Sequence, residues 1–230
     1  MKKLTLATLL IFSCATAWAA DFAKGLAAYE AGDFATALAE WKPLAEQGDA
    51  AAQYNLALMY DSGQGVIEDD KEAVKWYRLA AEQGLVDAQS NLGRMYGRGE
   101  GVIEDDKEAV KWLRLAAEQG NVTAQYNLAS SYGRGEGVIE DNKEAVRWYL
   151  LAAEQGNAVA QLALGLMYVK GEGVIQDPVY AHMWWNLAAA SGNEGARDNK
   201  DTLVKQMTPQ DISKAQDLAR ECVKKNYKDC

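Results

Sequence analysis

The same four residues, Ala-Glu-Gln-Gly, stand at 45–48, 81–84, 117–120 and 153–156, and Ala189-Ala190-Ser191-Gly192 continues the series. The step is 36 residues each time and never slips. Other columns keep the register: Ala52-Gln53, Ala88-Gln89, Ala124-Gln125 and Ala160-Gln161; Tyr60, Tyr96, Tyr132 and Tyr168; Trp76, Trp112, Trp148 and Trp184. A period of this size constrains the fold more than any composition does. It calls for small supersecondary units that bury their apolar faces against their neighbours, not for one closed core.

Each unit reads as two helices. Ala52, Leu56, Met59 and Tyr60 fall at i, i+4, i+7 and i+8, one face of an amphipathic helix. Gly63-Gln64-Gly65 ends it, since glycine accepts the positive φ of a turn at little cost. Asp69 followed by Glu72 has the spacing of a capping box at the start of the second helix. The fourth unit uses Asp177-Pro178 instead, with proline at the first helical position. Ala73, Trp76 and Ala80 mark the buried stripe of the second helix, and Gly84 stops it. Small residues at 57, 93, 129 and 165 are expected to let the paired helices approach closely. The tryptophan column is expected to fill the gap between units, each indole being worth roughly 3 kcal/mol or more on truncation.

The ends depart from the pattern. Residues 20–48 read as a shortened capping pair, with its turn at Gly32-Asp33 and Pro43 expected to kink its second helix. Units 49–84, 85–120, 121–156 and 157–192 follow, and 193–230 reads as C-terminal capping helices, the last opened by Thr208-Pro209. Atypical terminal units keep an open stack soluble, so a monomer is expected.

The first 19 residues stand apart. Lys2 and Lys3 precede an apolar stretch, Leu4 to Phe12, and Ala17-Trp18-Ala19 has the small-x-small form of a cleavage site. The stretch is too short to span a bilayer. A signal peptide cut after Ala19 is expected, giving a periplasmic or secreted chain; a lipoprotein anchored through Cys14 is the alternative, which Phe12 fits poorly. Cleavage would remove two lysines and no acid, deepening the formal charge from −9 to −11. An acidic balance argues against nucleic acid as a partner. Cys222 and Cys230 then remain, an even count in a disulfide-permissive compartment. On one helix their Cα atoms would lie about 12 Å apart, so a bridge requires the chain to fold back near Asn226.

The columns Ala-Gln-x-x-Leu-Gly/Ala-x-Met-Tyr, Gly-x-Gly-Val, Asp, Ala-x-x-Trp and Leu-Ala-Ala-x-x-Gly resemble the Sel-one-like repeat (SLR), a relative of the tetratricopeptide repeat, over 22–220. The resemblance implies an all-α, right-handed α/α solenoid of helix-turn-helix repeats whose first helices line a concave face. It also implies an adaptor or scaffold role. Exported bacterial members are linked to envelope signalling, host interaction, virulence or neutralisation of a partner, as an immunity protein does. Cysteine-rich relatives are described as binding or hydrolysing β-lactams; they carry a cysteine pair in each repeat, and the repeats here contain none.

Within the first helices, the positions left over by the core vary from unit to unit. They supply a candidate partner-binding face of Tyr54, Leu58, Arg94, Arg98, Tyr126, Arg134, Leu162 and Leu166. Tyrosine, arginine and leucine on a groove are interface-anchor types. The competing reading packs Leu162 and Leu166 on the C-terminal unit. Arg94, Arg98 and Arg134 are expected to meet acidic groups of a protein partner, whose identity the sequence does not give. Catalytic chemistry is not expected. The single histidine, His182, stands where Val74, Val110 and Val146 stand and is expected to be half-buried. Gly97-Arg98-Gly99-Glu100-Gly101 follows no strand and reads as a turn, not a phosphate loop. Glu68-Asp69-Asp70 lacks the alternation of a calcium loop and serves the helix start. No cofactor or metal is expected, and Lys71, Lys75, Arg78 and Glu82 read as a solvated convex face. A β-lactam-active enzyme is the alternative function.

Overall fold

The computed structural model describes residues 20–228 and 230; the expected leader and Cys14 lie outside them. Among the described residues there are twelve α-helices and no strand. They come in consecutive pairs: α1 (Phe22–Glu30) with α2 (Phe34–Glu46), α3 (Ala50–Ser62) with α4 (Asp70–Glu82), and α5 (Val86–Arg98) with α6 (Asp106–Glu118). There follow α7 (Val122–Arg134) with α8 (Asn142–Ala153), α9 (Ala158–Lys170) with α10 (Pro178–Ala190), and α11 (Glu194–Val204) with α12 (Pro209–Lys224). From α1 to α11 each helix packs on the next in the chain, and α12 folds back onto α10 to cover the end of the stack.

The loop inside each pair has one construction. Gly63 takes the left-handed conformation at φ 66° and ends α3. The Asp69 amide then donates to the Tyr60 carbonyl, and the Asp69 carboxylate accepts from the amides of Lys71 and Glu72 to start α4. The Tyr96–Asp105, Tyr132–Asp141 and Tyr168–Asp177 bonds repeat this closure. Glu72 does not complete the capping box expected for it. Its carboxylate accepts from Lys75 Nζ and from Trp76 Nε1 instead, because the nearby cation and indole N–H lie on the same helical face.

The second glycine of each loop has a role the turn reading did not contain. A Cβ at Gly101 would lie 2.2 Å from the Asp70 carbonyl oxygen, at Gly137 2.1 Å from that of Asp106, and at Gly173 2.2 Å from that of Asn142. Each loop thus sits against the start of the preceding unit's second helix, at a distance no side chain permits.

Inside a pair, small residues meet large ones. Gly25 and Gly165 make room for the indoles of Trp41 and Trp185, and Gly93 for Leu113. Trp41 Nε1 donates to the Phe22 carbonyl, and Trp185 Nε1 to the Leu162 carbonyl. The expected tryptophan column is buried as well, from 9% exposed at Trp112 to fully covered at Trp184.

Between pairs, the glutamine column carries the polar contact. Gln53, Gln89, Gln125 and Gln161 are buried. Each donates its side-chain amide to the last turn of the preceding unit's second helix, to the carbonyls of Ala45, Ala81, Ala117 and Ala153. Those carbonyls lie at helix ends, where intrahelical donors run out. Gln83, Gln119 and Gln155 then donate at 2.8 Å to the side-chain oxygens of Gln53, Gln89 and Gln125. The fourth position in this series is Ser191, and the buried Gln161 Oε1 has no partner.

The outer face is more than solvated. Arg78 donates to the Tyr96 hydroxyl and Arg114 to that of Tyr132 at 2.8 Å, tying each second helix to the first helix of the next unit. Arg78 is exposed, as read from the sequence, and the tyrosine column also brings an acceptor within its reach. At the C-terminus Cys222 and Cys230 are joined by a disulfide with Cα atoms 5.2 Å apart. Asn226 and Tyr227 at φ 52° and 64° turn the chain back to make that possible.

Two outcomes follow from these contacts. Ser191→Gln should supply the missing donor to Gln161 and raise stability by about 0.5–1.5 kcal/mol in urea unfolding. His182 is 2% exposed, fully buried where half-burial was expected, because α11 covers the last pair. Burial, aided by Lys200 and opposed by Asp201, pushes its imidazole below the ordinary 6.5. The unfolded chain therefore binds the proton first. The stabilising effect is complete above the ordinary value and declines as pH falls below it, by at most about 1.4 kcal/mol per pH unit. Urea titrations between pH 8 and about pH 5 should show that slope, and His182→Val should flatten it.

Candidate partner-binding clefts

The first helices of neighbouring units leave clefts floored by the second helices. One, a cavity of about 400 Å³ between α5 and α7, is lined by Arg94, Arg98, Tyr126 and Arg134 together with Asp106, Thr123, Asn127, Ser130, Ser131 and Glu136. The next, about 310 Å³ between α7 and α9, is lined by Tyr126, Arg134, Tyr149, Leu166, Lys170 and Glu172, among others. Tyr126 and Arg134 border both clefts. Helical spacing places them there: residues at i, i+4 and i+8 share a face, so Tyr126, Ser130 and Arg134 line up along α7.

Of the eight candidate residues, five thus come together: Arg94, Arg98, Tyr126, Arg134 and Leu166. Leu166 is 40% exposed. The other three do not join them. Leu162 packs beside Trp185, Ala196 and Leu203, holding the C-terminal cap. Leu58 is half-buried against the core of the first units. Tyr54 leans on Tyr77, with ring centroids 5.8 Å apart, as Tyr126 does on Tyr149 at 5.7 Å.

The arginines differ sharply in their surroundings. Arg94 donates to Asp61 Oδ2 at 2.7 Å and to the Glu100 carboxylate, and Tyr77 Oη donates to the same Asp61 oxygen at 3.1 Å. Burial, followed by the Asp61 charge, pushes the Tyr77 hydroxyl far above its ordinary range, so it stays a donor. Arg94 is accordingly neutralised within the fold and three-quarters buried, which corrects the expectation that it offers its charge to a partner. Arg98 faces Glu100 at 3.5 Å, Arg134 faces Glu136 at 3.7 Å and Lys170 faces Glu172 at 3.5 Å. The three pairs are long and their cations exposed, so their net attraction is small. Glu100 is held by Arg94, while Arg98, Arg134, Lys170, Glu136 and Glu172 remain open to exchange partners.

Asn127, Ser131 and Glu136 also line the first cleft and were not singled out from the sequence, because Asn127 and Glu136 repeat in neighbouring units and Ser131 stands in the core column of Met59, Met95 and Met167. Among the described residues no group of three or more His, Cys, Asp and Glu side chains is placed to hold a metal ion, and no helix is long and apolar enough to cross a membrane.

Comparison with known proteins places the architecture. The Sel1 repeat profile matches residues 50–85, 86–121, 122–157 and 158–193. The chain belongs to the Sel1 repeat family. Sel1 repeats generally mediate protein–protein interactions and are generally non-enzymatic scaffolds. The matched units begin one residue after those read from the sequence, a difference of phase within one period. Among solved structures the chain is similar to a protective antigen of uropathogenic Escherichia coli strains displaying an SLR fold, at 35% identity and TM-score 0.78, over 84% of this chain and 43% of that one. It therefore spans less than half of the antigen. It is also similar to a Sel1 repeat protein from Oxalobacter formigenes, at 33% identity and TM-score 0.77, over 89% of this chain and 85% of that one. No curated protein matches the chain.

The ion-pair geometry separates the arginines by experiment. Arg94→Ala should take from the partly buried Asp61 and Glu100 their shortest ion pairs, costing about 1–3 kcal/mol. Arg134→Ala should change stability by less than about 0.5 kcal/mol. Urea unfolding of the two variants compares them directly.

Proposed function

We propose that this protein is a non-enzymatic interaction module of the bacterial envelope, periplasmic or secreted, that holds a segment of a single protein partner across the two clefts that share Tyr126 and Arg134. One observation carries the reading. The core columns repeat from unit to unit, while two columns of the cleft face, Tyr54/Ser90/Tyr126/Leu162 and Leu58/Arg94/Ser130/Leu166, change, so the variation falls where a ligand would lie. Tyr126 provides a rigid aromatic surface, Arg134 an exposed guanidinium, and Leu166 an apolar contact in the second cleft. The mixed charges at Arg98, Arg134, Glu136, Lys170 and Glu172 suit a partner segment of mixed charge more than a purely acidic one.

The antigen from uropathogenic strains supports an envelope or host-facing setting, as does the expected leader. Within that setting the role is envelope regulation, host interaction or neutralisation of a toxic partner. For the β-lactam-active alternative, the cysteines that relatives carry in each repeat are missing, Cys222 and Cys230 are bonded to one another, and His182 is covered.

The test is capture from envelope extract on the immobilised chain lacking residues 1–19. Tyr126→Ala/Arg134→Glu should lose the captured partner while retaining the wild-type unfolding curve. Capture unchanged by the double substitution overturns the proposal, and so does nitrocefin turnover by the purified chain.

A further inference from the structure

Four isoleucines stand almost fully in solvent, one in each repeat loop. Ile67 and Ile103 are 91% exposed, and Ile139 and Ile175 are 89% exposed. The next most exposed large apolar side chain among the described residues is Val223, at 51%. Folding gives no reason for them. In each loop the preceding valine turns inward: Val66 and Val102 pack on the core of the first units, Val138 and Val174 on those of the later ones. The isoleucine then points the other way and touches little.

Nor are the isoleucines loosely presented. The loop backbone is closed on both sides, by the left-handed glycine that ends the first helix and by the Asp amide that bonds the Tyr carbonyl. Each following loop is seated on the start of the preceding second helix through Gly101, Gly137 and Gly173. The four side chains therefore form a row held in register along one edge of the stack. Beside Ile103, Lys71, Gly99, Gly101 and Val102 frame a shallow depression. This edge runs along the loops and meets the first cleft at Asp106; none of the four isoleucines lines either cleft.

The charge around the row selects its occupant. Residues 68–72 and 104–108 each carry four carboxylates against one lysine, and Glu140, Asp141 and Glu144 continue the pattern. An anionic bilayer would be repelled by these groups, and a second copy would bring the same acidic edge against its own. A cationic, amphipathic chain meets both features at once.

We propose that the edge formed by Ile67, Ile103, Ile139 and Ile175 is a second docking surface, which takes a basic amphipathic segment of a protein with its apolar side chains on the isoleucines and its lysines or arginines on the flanking carboxylates. The surface is independent of the clefts, so either can fail without the other.

The experiment uses the chain lacking residues 1–19 and a fluorescent synthetic amphipathic peptide of leucine and lysine. Anisotropy titration measures its affinity for wild type, for Ile67→Ser/Ile103→Ser/Ile139→Ser/Ile175→Ser, and for Tyr126→Ala/Arg134→Glu. The quadruple variant should bind at least about tenfold more weakly, since each isoleucine contributes buried apolar area only in the complex. Its thermal unfolding should match wild type, because the side chains removed touch almost nothing. The single variants Ile103→Ser and Ile139→Ser should each weaken binding by a smaller factor, and they decide the matter if the quadruple variant folds poorly. The cleft variant should bind the peptide as wild type does. Equal affinity of wild type and the isoleucine variants overturns the proposal. So does equal binding of a leucine and glutamate peptide, adsorption of the chain to anionic phosphatidylserine vesicles through the isoleucines, or self-association of wild type that the quadruple variant abolishes.

Discussion

Every unit of this stack begins by completing the one before it. A buried glutamine amide in the first helix reaches back to a carbonyl at the end of the preceding second helix, and in three units a second glutamine, at the end of the same unit, donates to its side-chain oxygen. An isolated helical pair would leave both that carbonyl and one apolar face unsatisfied, and a hydrogen-bonding group buried without a partner is costly. The cleft residues, the loops and the terminal caps all take their positions from this unit-to-unit contact.

Three other contacts repeat at the same interval and share the load. The second glycine of each loop allows backbone to meet backbone at the neighbouring helix start. Arg78 and Arg114 hold the tyrosines of the next unit from outside. A small residue on each first helix admits a large one from its partner, most tightly where Gly165 faces Trp185. None of these contacts reaches beyond an adjacent unit, so stability is a sum of local terms and the ends must be finished differently. At the C-terminus α12 lies on α10, and the Cys222–Cys230 bridge secures the turn after it.

Much of this was legible before any coordinates. The period, the helix pairs, the cap residues and the need for a chain reversal near Asn226 are local properties, written in residue type and spacing. The cleft was legible only in part. Leu162 and Leu166 lie four residues apart on one helix, yet one packs under the cap and the other stays exposed, because α11 covers only the first of them. Arg94 and Arg134 lie on the first helices of successive units, one turn apart within the repeat. One is locked by Asp61 of the preceding unit and by Glu100, and the other is open, facing Glu136 at 3.7 Å. The isoleucine row was visible as a column, but nothing in the sequence says that the valine turns in and the isoleucine out.

By itself, then, the sequence determined that the chain builds a stack of 36-residue helical pairs, with distinct ends and a constant core. It could do so because helix formation and capping depend on neighbours within a few residues, and a strict repeat states the same answer four times over. The tertiary structure alone decided which charges are spent within the fold, which side chains line the clefts, and which apolar groups are left in water. Those outcomes depend on what sits roughly one period away in sequence and only a few ångströms away in space, a distance that no local pattern encodes.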